Sequence, residues 1–199
     1  MNLVAMRTLV RRDLHDEDEV NRRWTDAELD RHIGHALEEL SRSVPLETEC
    51  LIPVTDGDRE FTLSTLEGFI RLQAVEYPID SYPPVFHRFD CRADKMKLLD
   101  EVLPEDGYIR LYYSASHTMT AESTSLPSYL EDLVAIGAEG FASLEWAVFC
   151  VNRVNSGGTD TPKVFEAIGR ERLVYFRNEL RRLCSQNKVR VNSLFTPAG

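Results

Sequence analysis

Cysteine is scarce and scattered. The only four among 199 residues are Cys50, Cys91, Cys150 and Cys184. No two stand close enough for a zinc pair or a redox CxxC, so they read as reduced thiols packed as small hydrophobes in a cytosolic protein. No uninterrupted apolar run approaches the ~20 residues of a membrane span. The opening residues 1–7 lack the apolar stretch and cleavage site of a secretory signal. Basic charge is short: 23 Lys and Arg face 33 Asp and Glu, a net charge of −10. A surface of that sign repels phosphate and argues against general affinity for nucleic acid. The strings GxGxxG, GxxxxGK[ST], GxSxG and HExxH are all absent.

What is present is an ordinary globular balance, 43% hydrophobic and 28% charged. The length suits one domain, or one domain with an insertion, and a chain of this size buries about 70% of its unfolded surface without disulfides.

Periodicity changes twice along the chain. Leu3, Met6, Leu9 and Val10 recur at helical spacing. Thr25 and Glu28 form a capping box for a second helix with the stripe Leu29, Ile33, Leu37, Leu40 and Val44, ended by Pro45. Residues 46–117 then carry short alternating runs and turn signals, which predict five or six strands. After a polar link, Pro127 opens a third helix that is expected to reach about Arg153, before Asn155-Ser156-Gly157-Gly158. Thr161-Pro162 starts a fourth, with Phe165, Ile168, Phe176, Leu180 and Leu183 as its stripe. The expected fold is α+β: a four-helix bundle with a β-rich insertion between helices 2 and 3 and an extended C-terminal tail. Residues 1–45 plus 118–185 make the helical bundle, 46–117 the β-rich insertion and 186–199 a C-terminal arm.

Three clusters invite a chemical reading. Asp13 to Glu19 holds five acids but lacks the alternate ligands and central glycine of a Ca²⁺ loop, so it reads as a solvated helix connection. Glu28, His32 and His35 share one helix face, as transition-metal ligands do, yet without further donors nearby they read as a solvated or partner-facing side. Gly157-Gly158 matches no phosphate loop. No catalytic, cofactor-binding or metal-ligating residue is therefore expected, and no enzymatic activity.

Charge is unevenly placed. Residues 44–162 carry 8 basic and 20 acidic groups, whereas residues 163–199 carry 8 basic and 3 acidic. In the last segment Lys188 and Arg190 suit an acidic partner, and Val189, Val191, Leu194 and Phe195 leave apolar surface to be covered. Alternation of Val189, Arg190, Val191 and Asn192 fits an extended strand added to a partner's sheet edge.

Three stretches together resemble the head–tail adaptor (connector) proteins of tailed phages and prophages. They are Trp24-Thr25-Asp26-x-Glu28-Leu29-Asp30, Val75-Glu76-Tyr77-Pro78 with Tyr82-Pro83-Pro84, and Leu126-Pro127-x-x-Leu130-Glu131-Asp132-Leu133-Val134. The resemblance spans roughly residues 3–183. It implies a structural virion protein, assembled in the host cytoplasm and placed in the neck. Such a protein forms a ring of twelve copies that joins the portal protein to the next neck or tail protein. It continues the DNA channel without binding DNA specifically and has no membrane partner. The C-terminal arm would be the portal-binding element. A stopper-like tail-completion protein and a small cytosolic enzyme are the alternative classes.

Overall fold

A computed structural model describes residues 1–100, 107–151 and 161–194, with the backbone alone at 151, 161 and 187–194. In chain order the elements are α1 (Leu3–Asp13), α2 (Asp26–Ser43), β1 (Leu46–Val54), β2 (Glu60–Thr62), β3 (Phe69–Glu76), β4 (Phe89–Arg92), β5 (Lys95–Leu98), β6 (Gly107–Ala115), α3 (Ser128–Val151) and α4 (Thr161–Leu194). Met1–Val44 and His117–Ser185 form one compact unit, and Pro45–Ser116 forms the body of a second.

In the helical unit, Asn2 caps α1 by accepting the Ala5 N–H at 3.0 Å. The capping box at Thr25 and Glu28 starts α2. Met6 and Val10 of α1, Leu29, Ile33 and Leu40 of α2, and Leu130 and Val134 of α3 share one core. Ser128–Cys150 is long and apolar enough to cross a membrane, with a mean hydropathy of 1.5, and 56% of that stretch is buried inside the protein. Sequence inspection missed this because Glu131, Asp132, Glu139 and Glu145 interrupt any single run.

The four helices do not form the expected four-helix bundle. The helices α1, α2 and α3 pack on one another, and α4 adds Leu173, Phe176 and Leu180 to their core, with half-buried Phe165 and Leu183 packed against it. The α3–α4 contact is closest at glycines. A Cβ on Gly140 of α3 would lie 2.7 Å from Leu173 Cγ, and one on Gly169 of α4 would lie 2.9 Å from the Gly140 carbonyl oxygen. The expected extended tail is also corrected: the backbone stays helical through Leu194. Arg181-Arg182-Leu183 and Gln186 favour helix, and the first proline after Pro162 is Pro197, so nothing earlier stops the run.

In the second unit, two antiparallel sheets of three strands are ordered β1-β6-β3 and β2-β5-β4. They share a core that includes Phe61, Leu72, Met96, Leu98, Ile109 and Leu111. Register shifts fall between Phe69 and Arg71 and between Leu72 and Ala74 of β3. Leu72 and Ala74 are buried and Ile70 is exposed. The strand β4 is confined to Phe89–Arg92, and before it Phe86 makes an isolated antiparallel bridge with Glu76.

Candidate functional site

The polar residues that stand out in the sequence serve the scaffold. Glu28 accepts the Thr25 N–H at 2.7 Å and its hydroxyl at 2.8 Å. His32 is not on a solvated face. It is buried, and its Nε2 pairs with the Glu145 carboxylate reaching over from α3. Desolvation holds its pKa below the usual histidine range. His35 is exposed and sets its ring edge against Phe141. The three side chains therefore go to three tasks.

The acidic run is no plain solvated connection either. Asp16 is buried and accepts from Arg11 at 2.6 Å and from the Arg23 N–H at 2.6 Å. Among the described residues no group of three or more His, Cys, Asp or Glu is placed to hold a metal. Gly157-Gly158 lies outside the described residues. The arm residues Lys188, Val189, Arg190, Val191, Asn192 and Leu194 lie on the helical continuation of α4, which replaces the expected strand. Their side chains, and Phe195, lie outside the described residues.

A cleft of about 630 Å³ opens in the helical unit, lined by Arg12, Asp13, His15, Asp132, Glu139 and Arg172 among others. Glu139 is buried, and Arg172 Nε lies 3.2 Å from its carboxylate. Burial pushes its carboxyl up to about 7, and Asp13 beside it adds to the rise while Arg172 opposes it. Folded protein therefore keeps a proton that the unfolded chain releases, so stability falls as pH rises from the ordinary carboxyl range to about 7. Glu139→Gln removes that dependence. Urea unfolding should show the variant more stable than wild type at pH 8 by ~3 kcal/mol, with little difference at pH 4. Equal differences at the two pH values would refute this account.

The second sequence motif builds a display platform. Glu76 is 3% exposed and accepts from Tyr112 Oη at 2.6 Å and Arg110 at 3.3 Å. Arg110 also pairs with Asp80 at 2.8 Å and lies 3.8 Å from Glu49. On the far side, His87 bonds the Tyr77 carbonyl at 3.0 Å, and Asp100 accepts from both the backbone and the side chain of Arg88. Both ends of the intervening loop are thus clamped. Its tip presents Tyr82, 98% exposed, followed by exposed Pro83, Pro84, Val85 and Phe86. Sequence reading took this stretch as a family motif and missed its display of apolar surface. The signal was five consecutive apolar residues between turn residues.

The last helix displays a second apolar surface. Val164, Ile168 and Tyr175 recur at spacings of four and seven and are exposed, with Val174 beside them. They lie away from the buried stripe of Leu173, Phe176 and Leu180. The sequence reading had placed Ile168 in that buried stripe; it is 43% exposed.

No protein-family model matches the chain. No curated protein matches it either. Among solved structures it is similar to a chain in the neck of an empty GTA (gene transfer agent) particle computed with C6 symmetry. That likeness has 12% identity and a TM-score of 0.32, covering 84% of this chain and 88% of that one. A TM-score this low assigns neither fold nor function.

Proposed function

We propose that this chain is a structural neck protein of a tailed-phage-like particle: a head–tail adaptor that forms a ring between the portal and the next neck or tail protein. The observation that carries this reading is two separate groups of exposed apolar side chains, one on the clamped loop 82–86 and one on the outer side of α4. Exposed apolar side chains grouped in this way mark protein interfaces. The residues that resemble the adaptor family hold scaffold and display positions, as an assembly protein requires. Trp24 packs its ring against that of Trp146 at a tilt of 54° and 5.4 Å, and Asp26 and Asp30 hold Arg7. Glu76 anchors the platform beneath the exposed loop. In this reading the protein has no enzymatic activity.

Acidic residues 44–162 suit a channel wall, because repulsion keeps a passing genome from adhering. Residues 186–199 are the portal-facing arm, with Lys188 and Arg190 supplying positive charge from a helix rather than a strand.

Electron microscopy of intact particles tests the proposal. The chain is expected as a ring at the neck, with residues 186–199 against the portal and a carboxylate-rich lumen. Finding it outside the neck would sink the adaptor reading. A wall of lysine and arginine would contradict the channel assignment.

A further inference from the structure

We propose that successive copies of this chain bind head to tail, the outer side of α4 from one copy lying on the outer face of the β1–β6 pair and the adjoining loop 82–86 of the next. This deepens the adaptor reading and rests on it only for closure of the contact into a ring.

The receiving face is built by strand register. Glu49 stands opposite Tyr112, Leu51 opposite Arg110 and Pro53 opposite Tyr108. Alternation along β1 puts Glu47, Glu49 and Leu51 on the exposed side. Tyr108 is exposed on the neighbouring strand. Phe86 sets its ring against Tyr112 at 6.2 Å, which extends this face into the Tyr82 loop. Charge at its centre is unbalanced. Arg110 is surrounded by Glu49, Glu76 and Asp80, three carboxylates to one guanidinium, and Glu47 stands two residues from Glu49. The face is apolar with an excess of negative charge.

The outer side of α4 is its complement. Val164, Ile168, Val174 and Tyr175 give it exposed apolar area, with Tyr175 54% exposed. Arg170 and Arg181 flank Val174 at spacings of four and seven, Arg170 paired with Glu166 at 2.6 Å on the same helix. Among the described residues, Arg181 meets only the Asn178 amide oxygen, at 2.9 Å, so it has no carboxylate to give up on docking. Over its full length α4 carries 8 basic and 3 acidic residues, whereas Pro45–Ser116 carries 7 basic and 14 acidic.

Both complementary surfaces belong to the same chain, so the occupant that fits each is another copy. Because the two surfaces differ, the contact is heterologous. It leaves one free surface of each kind after every addition and therefore propagates until it closes. Opposite charge fixes the register and speeds encounter, while the apolar anchors hold the complex.

Two full-length variants test this. One carries Leu51→Arg and Tyr108→Arg, and the other Ile168→Glu and Tyr175→Glu; all four positions are exposed, and circular dichroism checks that both fold. By analytical ultracentrifugation, wild-type chain should self-associate beyond the dimer, and each variant should do so ~30-fold more weakly, as loss of an interface anchor gives. An equimolar mixture should form a one-to-one heterodimer and nothing larger, because each variant brings one intact surface. Wild type that stays monomeric up to ~1 mM overturns the contact, as do variants that associate like wild type. A sheet-face variant that still dimerises would point to α4 pairing with α4 and would also overturn it. A chain that behaves as expected in solution yet lies outside the neck would refute the adaptor reading and leave this contact standing.

Discussion

Replacing Gly140 with valine should cost the helical unit ~3 kcal/mol, the upper range for overpacking a well-filled interior. A side chain at this position meets Leu173 Cγ at 2.7 Å, Cδ2 at 2.9 Å and, above all, the Leu173 backbone nitrogen at 3.2 Å. The leucine side chain can rotate away, but the backbone of α4 cannot move without withdrawing Phe176 and Leu180 from the core they share with α2 and α3. The crossing is tight from both sides, since a Cβ on Gly169 would lie 2.9 Å from the Gly140 carbonyl oxygen. Gly34 of α2 provides the control. Nothing lies within 4 Å of a Cβ there. Gly34→Ala should therefore raise stability by ~1 kcal/mol, the helix-propensity difference alone. Calorimetry on the two variants reads both signs. A Gly140→Val protein that melts like wild type would show that α4 does not cross α3 at this point.

Arg11→Ala should be as damaging, at about 3–5 kcal/mol, because it strands a buried carboxylate. The Arg11 guanidinium is buried and donates to Asp16 at 2.6 Å, to the Trp24 carbonyl at 3.0 Å and to Asp26 at 2.7 Å. Asp26 is half-exposed and can be rehydrated, whereas Asp16 is buried and cannot. Asp16 in turn orients the Arg23 N–H at the entry to α2, so its loss loosens the joint between the first two helices. A double variant, Arg11→Met with Asp16→Asn, removes both charges and should recover most of the loss, as neutral replacements of buried ion pairs do. Urea unfolding of the singles and the double closes the cycle. A loss under ~1 kcal/mol for Arg11→Ala would mean that the pair behaves as a surface ion pair.

These two positions show where local sequence stops being informative. Asp13 to Glu19 looks like solvent-facing acid because five like charges in seven residues resemble a surface run. The return of the chain through Arg23 and Trp24 adds two backbone donors to the Arg11 guanidinium and so buries Asp16. His32 is similar: its neighbours on α2 said nothing of Glu145, which lies 113 residues later. The capping box, by contrast, needs residues only three apart and formed as read.

By itself the sequence determined the helices and strands in outline, the change of period at Pro45 and the contrast between the acidic stretch 44–162 and the basic last segment 163–199. Those properties depend on neighbours within a turn or a strand. Tertiary structure decided the rest. Glycines at 140 and 169 set how closely α4 approaches α3, and the four helices are not arranged as the expected bundle. Ile168, expected in the stripe of α4, instead lies outside with Val164 and Tyr175. Periodicity reports that a face is apolar; only the close approach of another helix decides whether that face is buried within the chain or left for another protein.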